Sequence, residues 1–276
     1  MTAAVVNSAC PNVSDLFARL DRAARVWAVG AVHGEASRLR ALHARLAPRL
    51  GRGDRLVYLG GYLGYGPDVA GTLDELLAFR RLFLARRLAF LGDIVFLRGS
   101  QEEMWQKLLQ LQFAPNPREV LQWMLDHGIG ATLTAYGADP SQGLSAARNG
   151  AVVLTRWTAS LRAAIDARPG HRQFLTGIKR AAFTEDGGLL FVHAGVDPSK
   201  PLDLQRDALW WGGANILELE EPFGGFHRVV RGFDRRRSGL QESAFAASLD
   251  GGSGCGGALL AACFTPDGAL VDSLES

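Results

Sequence analysis

The chain has 276 residues, 47% of them hydrophobic, enough to bury the core of one large α/β domain or two small ones. Thirty Lys and Arg against 28 Asp and Glu leave a net charge of +2, too small a field to draw the whole molecule to nucleic acid or a membrane, so anion recognition has to be local. Cys10, Cys255 and Cys263 are widely spaced without CxxC pairing, and neither a leader-like run nor about 18 uninterrupted apolar residues occurs, which points away from a disulfide scaffold or a membrane span and toward the cytosol.

Residues 1–25 read as a tail followed by a helix, with Ser14 placed to cap a turn carrying Leu16, Phe17 and Leu20, outside a single domain of residues 26–276. From Val26 onward, apolar runs alternate with helical patterns. Val26–Val29 is followed by Leu39, Leu42, Leu46 and Leu50; Leu56–Leu59 by Leu73, Leu76 and Leu77; then comes Ile94–Leu97. Strands alternating with helices predict a layered βαβ sheet. The pairs Arg80-Arg81 and Arg86-Arg87, among Leu76, Leu77, Leu82 and Leu84, read as the polar side of the second helix or as a partner surface. Residues 101–180 are helical in pattern, broken at Pro115-Asn116-Pro117 and Gly137-Ala138-Asp139-Pro140. Beyond Ala181 the texture is β. Ala181–Thr184 and Leu189–His193 flank Glu185-Asp186-Gly187-Gly188, and Leu259–Phe264 and Leu270–Leu274 flank Pro266-Asp267-Gly268, two hairpin signals that imply a second sheet. No internal repeat occurs, and the only tract of low complexity is the Gly-rich Asp250–Gly257.

Five short segments carry the chemistry: Val29-Gly30-Ala31-Val32-His33-Gly34, Leu59-Gly60-Gly61-Tyr62-Leu63-Gly64-Tyr65-Gly66-Pro67-Asp68, Leu97-Arg98-Gly99-Ser100-Gln101-Glu102, Phe191-Val192-His193-Ala194-Gly195 and Val229-Val230-Arg231-Gly232-Phe233-Asp234. The first three follow the ends of apolar runs, where α/β sheets place ligand chemistry, so they should converge on one cleft. In order and punctuation the five segments resemble GDxHG, GDYxDRGPD, RGNHE, HAG and GH of the serine/threonine protein phosphatases, a branch of the calcineurin-like metallophosphoesterases. The likeness runs from about Val26 to about Leu270 and looks closest to compact bacterial members. It implies a four-layer αββα sandwich with a helical cap at about residues 101–180, and a binuclear metal site that hydrolyses phosphoesters.

Matched position by position, this chain departs from that pattern at its ligands. The first Asp is replaced by Ala31 and the metal-bridging Asp by Gly61. The Asp and Arg of the DRG triplet become Gly64 and Tyr65. The Asn ligand is Ser100, the catalytic His is Gln101, and the last ligand His is Phe233. Only His33 and His193 remain as candidate metal ligands. Two adjacent dications need carboxylates to offset their repulsion, and lone neutral imidazoles do not satisfy a hard dication. Gln101 has no proton to give a leaving alkoxide. We therefore expect no metal cofactor and a catalytically inactive, pseudophosphatase-like protein that binds a protein or phosphorylated ligand, with no nucleic-acid or membrane partner. Its anion contacts would be Arg98, Arg231 and the backbone N–H groups of the loop holding Gly61 and Gly64, with Arg228 and Arg235–Arg237 nearby. The alternative is a residual phosphoesterase with one Mn or Zn ion held by His33, His193 and a carboxylate such as Asp234, Glu102, Glu103, Glu35 or Asp68. Trp105, Trp123, Trp157, Trp210 and Trp211 cluster in or beside the cap; buried, they are core, and exposed, they mark an interface.

Overall fold

A computed structural model describes residues 16–276. Strands β1 (Phe17–Leu20), β2 (Val26–Val29), β3 (Arg55–Tyr58), β4 (Ile94–Phe96), β5 (Ala181–Thr184), β6 (Leu189–Val192), β7 (Arg228–Arg231), β8 (Gly239–Glu242), β9 (Ala246–Asp250), β10 (Leu260–Phe264) and β11 (Leu270–Glu275) form two sheets. One has the order β11-β10-β2-β3-β4 and the other β1-β5-β6-β7-β9-β8. β2, β3 and β4 pair in parallel, and β10 runs antiparallel to both β2 and β11. The β2 and β3 side chains are almost continuously buried because both faces of that sheet are covered, which is why they read as apolar runs and not as alternations.

The sheets pack face to face over Val26, Ala28, Val57, Leu59, Phe191, Val230, Leu249 and Phe264. Outside the five-stranded sheet lie α1 (Ala36–Leu46), α2 (Val69–Leu84), α3 (Ser100–Leu108), α4 (Pro117–Asp126), α5 (Ile129–Ala135), α6 (Pro140–Arg148), α7 (Ala151–Asp166) and α8 (His171–Gly177). The outer face of the six-stranded sheet carries a thinner layer of short turns, among them α9 (Ala208–Trp211), burying Leu202, Leu209, Trp210, Ile216 and Phe223. These are the four layers expected. The cap segment, however, shares one core with α1 and α2 and so extends the helical layer. Its contacts with the loops at the strand ends come from the start of α3, the α4–α5 junction and Thr132 of α5.

One sequence expectation is corrected. Phe17–Leu20 is a strand paired in parallel with β5, not a helix beyond the domain, and Ser14 lies outside the described residues. Leu16, Phe17 and Leu20 fit helical spacing, but strand alternation sends Phe17 into the outer layer and Ala18 and Leu20 between the sheets. The hairpin β8–β9, which extends the sheet beyond β7, has no sequence expectation to match: its outer strand carries little apolar signal, and Gln241 and Glu242 are exposed.

Candidate functional site

Backbone hydrogen bonds stitch four of the five segments together, and the third joins them through the Glu102 carboxylate. Val32 and His33 N–H donate to the Gly61 carbonyl at 3.0 and 2.6 Å, Ala31 N–H to the Gly232 carbonyl at 3.0 Å, and Gly232 and Phe233 N–H to the His193 carbonyl at 3.0 and 2.9 Å. The expected convergence at the carboxyl ends of the strands is therefore present. What it encloses is packed rather than hollow. A Cβ built on Gly61 would lie 3.0 Å from the Ala31 Cβ, 3.1 Å from His33 Cε1 and 3.3 Å from His193 Cε1, so the two imidazoles crowd the position of the family's bridging carboxylate. His193 is fully buried and stacks on Phe233 with ring centroids 5.3 Å apart, while Tyr65 meets His33 edge-on at 5.2 Å. The Gly-rich loop closes the other side, with Gly254 against the His33 backbone and the Ser253 hydroxyl donating to the Val32 carbonyl at 2.8 Å.

Glu102 is the organising charge. Its fully buried carboxylate accepts from Gly61 N–H at 2.9 Å, Tyr62 N–H at 2.7 Å, Leu63 N–H at 3.0 Å and Gly99 N–H at 2.8 Å. Burial pushes its pKa up and the four N–H donors pull it back. The loop thus cradles an anion as its glycines suggested, but the anion is the chain's own carboxylate. Gly64 N–H donates to Thr132 Oγ1 at 3.0 Å, and Tyr65 N–H to the Gly128 carbonyl at 3.2 Å. The reading of Gly61 and Gly64 as contacts for an external ligand is corrected accordingly: their donors are spent inside the fold.

Gln101, in the place of the family's catalytic His, is 1% exposed and lies over Gly64, where φ is +78° and any side chain would overlap its amide. Its Nε2 donates to the His127 carbonyl at 2.8 Å, tying α3 to the end of α4. Ser100, also buried, opens α3.

The two surviving histidines hold their rings by Nδ1, His33 toward the Leu63 carbonyl at 3.3 Å and His193 toward the Leu59 carbonyl at 2.7 Å. Burial depresses His33 to about 4 and His193 to about 3, so both are neutral at neutral pH. His193 Nε2 is a buried acceptor with no hydrogen-bond partner among the described residues. The carboxylates that could complete a metal site are committed elsewhere. Glu102 serves the loop. Glu103 takes Arg98 at 3.3 Å and the Trp210 indole N–H at 2.8 Å. Asp68 caps α2 through Gly71 N–H, Asp234 pairs with Arg231 at 3.2 Å, and Glu35 lies 3.9 Å from Arg38. Among the described residues no group of three or more His, Cys, Asp or Glu is placed to hold a metal. Two imidazoles alone do not fit the paired dications that the resemblance implies.

Beside this packed centre a cavity of about 390 Å³ opens, lined by Arg231, Phe233, Arg235, Arg236, Trp211 and Asn215. Arg231 ends β7, is 7% exposed, and is aimed by Ser248, to which its Nε donates at 2.9 Å. Arg235 and Arg236 are exposed. Arg98 takes no part in this lining. An apolar groove of about 510 Å³ adjoins the cavity, sharing Trp211 and Arg235 and lined further by Met104, Leu111, Val120 and Trp123. Trp123 is 44% exposed and meets Trp211 edge-on at 5.7 Å, whereas Trp105, Trp157 and Trp210 are core. Trp211 and Asn215 were not marked as site residues from the sequence; the Trp210-Trp211 pair after the fourth segment was the available signal.

No family model matches the chain, and no curated protein matches it. Among solved structures, one described as a candidate diadenosine tetraphosphatase is similar with a TM-score of 0.55 and 21% identity, covering 94% of this chain and 97% of the other. A serine/threonine phosphatase from Saccharomyces cerevisiae with similarity to human PP5 is similar with a TM-score of 0.52 and 11% identity over 94% of this chain and 84% of its own. A cold-active protein tyrosine phosphatase follows with a TM-score of 0.55 and 14% identity over 93% and 80%. These likenesses, with two stacked mixed sheets flanked by helices, establish that the chain has the metallophosphoesterase fold.

Proposed function

We propose that this protein is a non-hydrolytic, pseudophosphatase-like member of the calcineurin-like superfamily that binds a phosphorylated partner protein without metal. The observation that carries the reading is the filling of the old centre. Where metals and a bridging carboxylate would sit there are Ala31, Gly61 and two neutral imidazoles, and the loop's N–H groups hold Glu102. Recognition then passes to the rim. A phosphate group would be met by Arg231, Arg235 and Arg236, and an apolar side chain next to it would lie against Trp211, Trp123 and Val120.

Calorimetric titration of a phosphoserine peptide with an aliphatic neighbour, beside its unphosphorylated twin, tests this. The phosphorylated form is expected to bind at least about tenfold more tightly, with the difference lost in Arg235→Glu. Equal affinities for the two peptides, or steady release of phosphate, would overturn it. One observation favours a second reading, a single-metal phosphoesterase: His193 presents a free buried Nε2 while its Nδ1 is fixed on a carbonyl, the orientation that metal-ligating histidines adopt. Stoichiometric Mn or Zn in protein purified without chelator, lost in His193→Ala, would establish that reading.

A further inference from the structure

The residues from Leu76 to Gly92 contain Arg80, Arg81, Arg86 and Arg87 and no acidic residue. Here the chain leaves α2 and turns back to β4, and it exposes four large apolar side chains: Leu82 is 58% exposed, Leu88 54%, Phe90 67% and Leu91 70%. Leu88, Phe90 and Leu91 fall within four consecutive residues, so their Cα atoms lie within about 11 Å of one another. The turn is well ordered by its own hydrogen bonds. Ala85 N–H donates to the Arg81 carbonyl, Arg86 N–H to that of Phe83, Ala89 N–H to that of Arg86, and Phe90 N–H to the Asp93 carboxylate. Leu88 adopts φ of +65°, a conformation that costs a branched apolar residue energy and that nothing buried repays.

Charge decides what such a face suits. Arg86 is committed to the Leu50 and Gly51 carbonyls and lies over the Phe83 ring, while Asp93 is buried and paired with Arg55 at 3.2 Å. Arg81 and Arg87 are exposed and have no ion-pair partner among the described residues. Arg80 and Arg19 line a neighbouring cavity together with Leu91, and Arg19 is balanced by Asp21 at 2.6 Å. The result is a local cluster of uncompensated arginines around four protruding apolar side chains. Apolar groups that can enter the headgroup boundary, ringed by cations, are the composition that holds a protein on an anionic bilayer surface.

We propose that the lobe Leu82–Leu91 is a docking face for an anionic lipid surface. This does not rest on the reading of the cleft. Asp68 starts α2 beside the cleft and the lobe follows its other end, about 24 Å away at 1.5 Å per residue, so the protein would lie on the bilayer with its cleft turned away from it.

The test is sedimentation of the full chain with phosphatidylcholine vesicles and with vesicles of roughly one-third phosphatidylserine. Binding to the phosphatidylserine vesicles is expected to be at least about tenfold tighter and to weaken steeply with added salt. Both Arg81→Glu with Arg87→Glu and Phe90→Ser with Leu91→Ser should remove it while the melting temperature holds, because all four side chains are exposed. Should either double variant melt low, the salt dependence of the parent chain still decides. No preference for phosphatidylserine, or binding retained in both folded variants, would overturn the proposal, and an acidic protein that occupies the lobe in place of vesicles would do so as well.

Discussion

Glu102 is the residue on which the cleft's present state turns. It gathers four backbone donors from two loops, and Gln at that position would offer one acceptor and a clashing amide to the same donors. Glu102→Gln is expected to destabilise by about 2–4 kcal/mol, read as a lower urea midpoint, because buried N–H groups lose a charged acceptor. His33 and His193 set a pH dependence, and so does His43, buried in α1 between Glu75 and the Tyr58 hydroxyl. Burial lowers them to about 4, about 3 and about 4, from an ordinary 6.5. Between those values and 6.5 the unfolded chain binds protons that the native chain refuses, so stability is full above about 6.5 and falls as pH drops through the window. Glu102, whose pKa burial raises, has the opposite sign. The urea midpoint should therefore decline from about pH 7 to about pH 5, each histidine contributing at most about 1.4 kcal/mol per pH unit, and a flat profile would mean that these rings are solvated. From the sequence, the departures at Ala31, Gly61 and Gln101 were plain. That Glu102 would fill the glycine loop was not, because a carboxylate three residues after Gly99 looks the same whether it caps a helix, binds a metal or serves a neighbouring loop.

At the scale of elements, the strands leading into the motifs were readable because both sheet faces bury apolar runs, and the hairpins at 185–188 and 266–268 because their turns carry Gly. Phe17–Leu20 was misread since four residues do not distinguish periods of 2 and 3.6, and the partner that decides is β5, over 160 residues away. Phe17 is 5% exposed on an edge strand, so Phe17→Ala should cost about 3–5 kcal/mol and lower the melting temperature markedly, where a dispensable tail would show no change. The Gly60–Gly66 loop and α3 are locked by the overlap of position 64 with Gln101. Gly64→Asp is expected to destabilise the fold, and Gln101→Ala to restore part of the loss, giving a coupling of about 1 kcal/mol or more in a double-mutant cycle. Additive effects would show that the side chains do not share that space.

For the whole molecule, a thermal-shift titration with Mn²⁺, Zn²⁺ and Mg²⁺ is expected to leave the melting temperature unchanged, since a ligand stabilises only where it binds the native state. A concentration-dependent rise abolished by His193→Ala would instead place a metal at the old centre. A net charge of +2 likewise conceals local fields, because averaging over 276 residues cancels the arginines of the Leu82–Leu91 lobe against carboxylates elsewhere. No helix among the described residues is long and apolar enough to cross a membrane. The sequence by itself determined the layered α/β fold, through apolar periodicity, and which residue types stand at the motif positions. Only the tertiary structure decided which groups fill the space where the five segments converge, which arginines line the neighbouring hollow and which apolar residues stay in solvent. Each of these depends on contacts between segments distant along the chain, and periodicity records which way a side chain faces but not what it meets there.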